Sequence, residues 1–306
     1  MKKHIRKSKA PFPAPASQPT RQRTDWSPVA DWYDTLVGEA GSEYHREVIL
    51  PGVLRMLDLS RNRDGQIPAQ ETSVLDLACG QGVLCRKLAR LGCRVTGIDA
   101  AEPLIAAARE RSAAEPGGDV RYIVADATKL LDDAGTPVGG LRQASFDAVT
   151  LVLAIQNISP LSPVWKACRV LLKPSGRLVL VMMHPCFRIP RASDWLWQKD
   201  VDGGSQSRLV RQYLSSETIA IQTHPGLAVH GKDATSTPHF HRPLQAYINT
   251  LGGAGLLIDH LEEWPSHKSS QPGPQKAALD RARKEIPLFL ALRARPVGIL
   301  PSVNMP

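Results

Sequence analysis

From Asp25 onward, apolar positions alternate between two rhythms. Short, nearly continuous apolar runs read as buried strands at 73–78 (SVLDLA), 94–99 (RVTGID), 120–126 (VRYIVAD), 146–154 (FDAVTLVLA) and 176–183 (GRLVLVMM). Between them, 83–91, 102–111 and 162–172 repeat their apolar residues at helical spacing. Strand and helix in strict turn predict an α/β fold, a doubly wound, mostly parallel sheet whose crossover helices bury both faces. Ahead of it, DWYDTLVGE (31–39) and EYHREVILPGVLRMLDL (43–59) predict N-terminal helices, the second bent or restarted at Pro51. Lys173-Pro174-Ser175-Gly176 predicts a turn into the fifth strand. Beyond Met183 the rhythm stops. Residues 184–236 hold proline, glycine, serine, Trp195 and Trp197, with one alternating stretch, ETIAIQTH, and read as an inserted cap. A helix at 243–254, a strand at 256–264, a polar linker and a strand at 287–294 complete the pattern.

Composition narrows the class. The 306 residues suffice for one large domain or two small ones, and no apolar run approaches the roughly 20 residues needed to span a bilayer. The chain therefore reads as soluble. Its five cysteines are irregularly spaced, without a C-x-x-C pair, which points away from a disulfide framework or zinc site and toward a reducing, cytoplasmic setting. The formal charge of +9 is concentrated before Asp25, where Lys2, Lys3, Arg6, Lys7, Lys9, Arg21 and Arg23 account for +7 and leave +2 for the rest. Residues 1–24 thus read as a disordered, proline-rich basic tail, and 25–306 as the folded domain. The tail is either an incidental extension or a tether to RNA and other acidic surfaces.

The candidate chemistry begins at VLDLACGQG (74–82). A phosphate-binding P-loop requires Lys-Ser/Thr after its last glycine, whereas Val83 and Leu84 follow Gly82. A dinucleotide turn requires Gly or Ala in third place, where this chain has Cys85, although Asp99 stands where a ribose-binding acid belongs. Asp76, ahead of the glycines, disfavours a pyrophosphate and favours a cationic ligand. S-adenosylmethionine, with its sulfonium and ammonium groups and no phosphate, suits that acid. Gly80 and Gly82 would let the backbone approach the adenosine, Asp99 would accept from the ribose hydroxyls, and Asp126 from the adenine amino group.

VLDLACGQG, TGIDAAEPLIAAARE, ADATKL, FDAVTLVLAIQNI and RVLLKPSGRLVLV together resemble the successive motifs of class I S-adenosylmethionine-dependent methyltransferases. The closest resemblance is to the ubiquinone- and menaquinone-biosynthesis branch and its small-molecule relatives. It covers about residues 70–183. It implies a Rossmann-like, seven-stranded sheet whose last strand is inserted antiparallel, an N-terminal helical cover, and methyl transfer that releases S-adenosylhomocysteine. Carried onto this chain, it implies cofactor contacts from Asp76, Ala78, Gly80, Gly82, Asp99, Ala100, Asp126, Ala127 and Leu153. The segment 184–236 departs from the family pattern.

The acceptor is less determined. Gln156-Asn157-Ile158-Ser159-Pro160 lacks the Asn/Asp-Pro-Pro-aromatic turn of adenine and glutamine N-methylases. Cys186 lacks the motifs of a cytosine-C5 nucleophile and reads as a buried thiol. His184, at the end of the fifth strand, and His241, with His239 beside it, are candidate general bases; equally, they are histidines bonded to backbone. Arg242 is a candidate for an anionic substrate group. Tyr33, Tyr44 and His45 are candidates for a lid. Trp195 and Trp197 would line an aromatic pocket or anchor the cap. A small-molecule acceptor is the leading expectation. An RNA methyltransferase tethered by its tail, a non-catalytic binding module and a dehydrogenase are the alternatives, and the oligomeric state stays open.

Overall fold

The computed structural model describes residues 26–59, 72–114, 120–199, 204–222 and 236–297. The basic tail proposed for 1–24 lies outside the described residues, as do parts of the cap.

Seven strands form the central sheet: β1 (Ser73–Leu77), β2 (Arg94–Asp99), β3 (Val120–Val124), β4 (Phe146–Val152), β5 (Leu172–Met183), β10 (Leu256–Trp264) and β11 (Phe289–Pro296). Their order is β10-β11-β5-β4-β1-β2-β3. The first five are parallel, and β11 runs antiparallel between β5 and β10. The chain leaves β1 toward β2 and β3 on one side, then returns to β4 and β5 on the other. A crevice opens where the order reverses, at the carboxyl ends of β1 and β4.

Both sheet faces are buried, so the strands carry little polar alternation. Leu75, Leu77, Val149, Leu151, Leu178 and Leu180 point into one core, with Trp165 of α5 (Leu161–Leu171) and Tyr247 and Leu251 of α6 (Leu244–Gly253). Val74, Val95, Ala148, Val179 and Val181 point the other way. They meet Val53, Met56 and Leu57 of α2 (Leu50–Leu57), Leu84 and Leu88 of α3 (Val83–Arg90), and Ile105 and Ala108 of α4 (Glu102–Ala114). The indole N–H of buried Trp165 donates to Thr250 Oγ1 at 3.0 Å, tying α5 to α6.

The expected helices and central strands are present, with three departures. First, the expected restart at Pro51 leaves no gap in the helix. A π-helical turn, His45–Ile49, runs directly into α2 and places the proline in the first turn of α2, where its missing N–H costs little. Second, Lys173–Gly176 is not a separate turn. It bulges out of a continuous β5, whose pairing with β4 steps from Phe146–Leu172 to Ala148–Arg177. Third, the polar linker contains α7 (Lys276–Glu285), held by a Lys276–Asp280 ion pair of 2.5 Å, with Ala282 buried.

Between β5 and α6 the chain builds two antiparallel hairpins. They are β6 (Ser193–Gln198) with β7 (Ser205–Val210), and β8 (Glu217–Gln222) with β9 (Ser236–His241). Asn157 Nδ2 donates to Pro238 O at 2.8 Å and Arg242 Nη2 to Ile158 O at 3.0 Å. These two bonds tie the end of the second hairpin to the segment after β4. The N-terminal helix α1 (Ala30–Val37) packs near α4 and carries Tyr33 toward the crevice.

Candidate functional site

The turn after β1 is built around left-handed backbone. Ala78 (φ +53°), Gly80 (φ +54°) and Gly82 (φ +79°) alternate with ordinary residues, so the chain reverses tightly into α3. At Gly82 a Cβ would lie 2.3 Å from the Tyr122 hydroxyl, which makes glycine obligatory on two counts. Ala78 holds the same backbone region with a side chain, at a cost of about 1–2 kcal/mol. Leu153, just beyond β4, does likewise at φ +55°. Non-glycine residues held in this region commonly mark a ligand-shaping wall, and both line the same cleft.

That cleft, about 700 Å³ including its open mouth, lies at the carboxyl ends of β1 to β4. Asp99 lines it. Its Oδ2 accepts the Gly80 N–H and its Oδ1 the Ala101 N–H, each at 2.9 Å, so one carboxylate fastens the glycine turn to the start of α4. Asp126 spends Oδ1 on the Thr128 N–H and hydroxyl, both at 2.8 Å, in a local turn. Its Oδ2 has no protein partner among the described residues, and Asp126 lines the cleft. Apolar walls come from Ala100, Leu104, Leu153 and Ile158, and Trp26 and Tyr33 pack edge-to-face, ring centroids 5.4 Å apart, beside them.

Asp76 does not line this cleft. It faces a smaller chamber of about 420 Å³ beside the turn, shared with Tyr33, His45 and Gln81. Thr150 Oγ1 donates to its Oδ1 at 2.6 Å and the Cys85 thiol to its Oδ2 at 3.3 Å. Burial raises its pKa to about 6, against those two hydrogen bonds. Gln81 is 1 % exposed; its amide nitrogen donates to Gly38 O at 2.8 Å, and its buried Oε1 has no partner among the described residues. Tyr33 lines both cavities, and burial raises its pKa first of all, so it remains a hydroxyl donor.

Seven of the residues expected to bind cofactor therefore meet in the cleft: Ala78, Gly80, Asp99, Ala100, Asp126, Ala127 and Leu153. Asp76 faces the neighbouring chamber, and Gly82 shapes the turn without lining either cavity. His184 and His241 lie outside both. His184 is 2 % exposed; its Nδ1 accepts the Cys186 N–H at 3.2 Å, which leaves Nε2 to donate to Glu263 Oε1 at 2.6 Å. Burial lowers its pKa, with Glu263 opposing. His241 donates from Nε2 to Tyr213 O at 2.9 Å. His239 is pushed down to about 4 by burial, then by His241 and Arg242. Tyr44 packs on His267 and Phe289 and bonds Ser266 Oγ at 3.0 Å; His45 lines the chamber, with Nδ1 2.8 Å from Ser42 Oγ. Arg242 lies over the Phe240 ring and holds the cleft-lining Ile158 by its carbonyl. Trp26 and Leu104 line the cleft as well, and so do Asn157 and Ile158, which in sequence served to exclude an N-methylase turn. Asn157 and Ile158 were signalled by their place just after β4, whereas Trp26 gave no signal.

The donor set fits S-adenosylmethionine on the evidence of its own chemistry. The Asp99 carboxylate in the cleft would suit a ribose diol, Asp126 Oδ2 beside apolar walls would suit a purine amino group, and Asp76 with the buried Gln81 Oε1 at the chamber would suit a cationic amino-acid end.

Residues 75–180 match a family model described as a methyltransferase domain. Over 111 residues the chain is 38% identical to a ubiquinone biosynthesis O-methyltransferase of Xanthomonas axonopodis pv. citri, covering 36% of this chain and 43% of the relative. A protein of the same name from Caulobacter vibrioides is 34% identical over 125 residues, covering 40% and 46%. The chain thus spans less than half the length of these curated relatives. Among solved structures, an S-adenosylmethionine-dependent methyltransferase from Mesorhizobium loti superposes with a TM-score of 0.57 at 24% identity, over 84% of this chain and 100% of its own. One from Clostridium acetobutylicum gives 0.53 at 16%, over 89% and 99%. Strand order and these likenesses agree that the chain has the fold of these methyltransferase structures, and residues 75–180 are similar to the methyltransferase-domain model.

Proposed function

We propose that this protein transfers the methyl group of S-adenosylmethionine to an oxygen of a small molecule. The observation that carries the reading is Asp99, locked to both the glycine turn and the start of α4, lining a cleft with a second acid and apolar walls. The oxygen acceptor is supported by the names of the curated relatives.

When bound, the cofactor supplies a methyl group already activated on a sulfonium. The protein's task is then to align the acceptor and exclude water. Asp99 would hold the ribose hydroxyls, Asp126 Oδ2 the adenine edge, and Leu104 and Ile158 the faces of the base. Asp76 and Gln81 Oε1 would face the cationic end from the chamber. Tyr33 bridges cleft and chamber, so it is placed to cover the reacting centre. The two hairpins between β5 and α6 would form the wall on the acceptor side, and Asn157 and Arg242 tie the end of the second one to the segment after β4. The five cysteines are all free, which supports work in a reducing cytoplasm.

Calorimetry with S-adenosylhomocysteine tests the reading directly. A one-to-one complex with the wild-type protein is expected, and no heat of binding would reject it. Transfer of label from methyl-labelled cofactor to a phenolic acceptor is the matching activity assay.

A further inference from the structure

Two arginines share one tryptophan beyond the end of β5. Arg188 and Arg208 each bring the guanidinium carbon within 5.1 Å of the centre of the Trp195 ring. Arg208 stands directly opposite Trp195 in the β6–β7 register, while Arg188 reaches it from the loop that follows β5. Neither forms an ion pair within 4 Å with a carboxylate among the described residues. Arg188 donates from Nε to Pro287 O at 3.3 Å and from Nη2 to Ile286 O at 3.4 Å. Arg208 donates from Nε to Phe187 O at 2.8 Å and from Nη2 to Ser193 Oγ at 2.7 Å. Each guanidinium carries five N–H groups, and among the described residues the Nη1 group of each has no protein acceptor and is not sealed from solvent. Asp194, whose charge acts on Arg208, is 71 % exposed and forms an ion pair with Arg211 at 3.5 Å.

Holding two like charges together at a half-buried site is unfavourable. Burial, then the charge of Arg208, lowers the pKa of Arg188 to about 10. An oxyanion between the two forks would relieve the repulsion and complete both donor sets. Arg188 also follows the carboxyl end of β5, which runs parallel to β4, so the loop carrying it leaves the sheet at the edge on which the cleft opens.

We propose that Arg188 and Arg208, braced on Trp195, recognise an oxyanion, a carboxylate or phosphate, carried by the methyl acceptor. The inference rests on the methyltransferase reading for the identity of the ligand as acceptor. The planar forks suit either oxyanion, and Trp195 together with the carbonyls of Phe187, Ile286 and Pro287 holds the forks in place before any ligand arrives.

The test measures binding of three probes by calorimetry to protein saturated with S-adenosylhomocysteine: 4-hydroxybenzoate, 4-hydroxyphenyl phosphate and the neutral 4-hydroxybenzamide. At least one charged probe is expected to bind about tenfold or more tightly than the amide, as charge-assisted hydrogen bonds allow. Whichever charged probe wins identifies the oxyanion. Arg188→Met and Arg208→Met should each erase that preference while S-adenosylhomocysteine binds as before, and Arg208→Lys should restore part of it. Equal binding of the three probes to wild type, including no binding of any, overturns the proposal. So does a pair of Met variants that weaken charged and neutral probes alike, because that pattern marks arginines that only anchor the hairpin. Cofactor binding is scored separately. If S-adenosylhomocysteine fails to bind but the charged preference survives in its absence, the oxyanion site stands and the methyltransferase reading falls.

Discussion

Asp76 and Asp99 end neighbouring strands, yet their surroundings give them different work. Asp99 accepts two backbone N–H bonds and lines the cleft, so replacing it with alanine removes a ligand contact and loosens the turn together. Asp99→Ala is expected to weaken S-adenosylhomocysteine by at least tenfold, about 1.4 kcal/mol, in a calorimetric titration. Asp76 is fully enclosed, and its pKa rises from 3.8 to about 6. The folded protein therefore keeps a proton that the unfolded chain loses between about pH 4 and pH 6. Stability from this group is highest below that window, falls across it by up to about 3 kcal/mol, and is level above it. Asp76→Asn cannot titrate and should flatten that segment of the curve. Urea midpoints at pH 4 and pH 6.5 for the two proteins measure the difference, and parallel curves would count against the assignment.

At the scale of elements, α2 docks on the sheet through a glycine. A Cβ on Gly52 would lie 2.4 Å from Trp264 Cη2, and the indole cannot swing away freely, because its Nε1–H donates to Glu262 Oε2 at 2.7 Å while Arg55 stacks on the ring and pairs with the same acid. Gly52→Ala is expected to destabilise by about 1–3 kcal/mol despite alanine's higher helix propensity. Thermal unfolding would show it as a midpoint several degrees lower, with S-adenosylhomocysteine affinity retained. The elements also show where sequence patterning was enough. Strands at 94–99 and 256–264 were legible to the residue, because turn residues bound them: Gly92 precedes the first, and Gly255 and Pro265 flank the second. Helix α7 was not, since its stabilisation comes from ion pairs and small residues rather than an apolar stripe. The β6–β7 hairpin was hidden for a related reason. Its strands mix serine, glutamine and arginine with tryptophan, and their pairing depends on a partner strand rather than on alternation.

For the molecule as a whole, ligand and fold should be linked. A ligand that binds only the folded state stabilises it by about 2.7 kcal/mol when present at a hundred times its Kd. S-adenosylhomocysteine at that excess should raise the unfolding midpoint by several degrees for wild type, and by much less at the same concentration for Asp99→Ala. Removal of residues 1–24, proposed as a separate basic tail, is expected to leave that stabilisation unchanged. Loss of the effect on truncation would place the tail in the cofactor site rather than beside it.

The order of the central strands and the helices between them, the glycine turn and the acids at three strand ends were determined by sequence alone, because each is a local matter of apolar period, backbone freedom and chain position. Which acids share a cavity was decided only by the tertiary structure. Asp99 and Asp126 open onto the cleft, whereas Asp76, only four residues before Gly80, is turned into a neighbouring chamber by Thr150 and Cys85. His184 and His241, equally plausible as bases in sequence, are committed to Glu263 and the carbonyl of Tyr213. The pairing of Arg188 with Arg208 over Trp195 has no local signature at all, since it joins a loop to two strands of a hairpin whose register alone brings them together. Side-chain chemistry is written in the sequence, but the company each side chain keeps is set by packing between segments far apart in the chain.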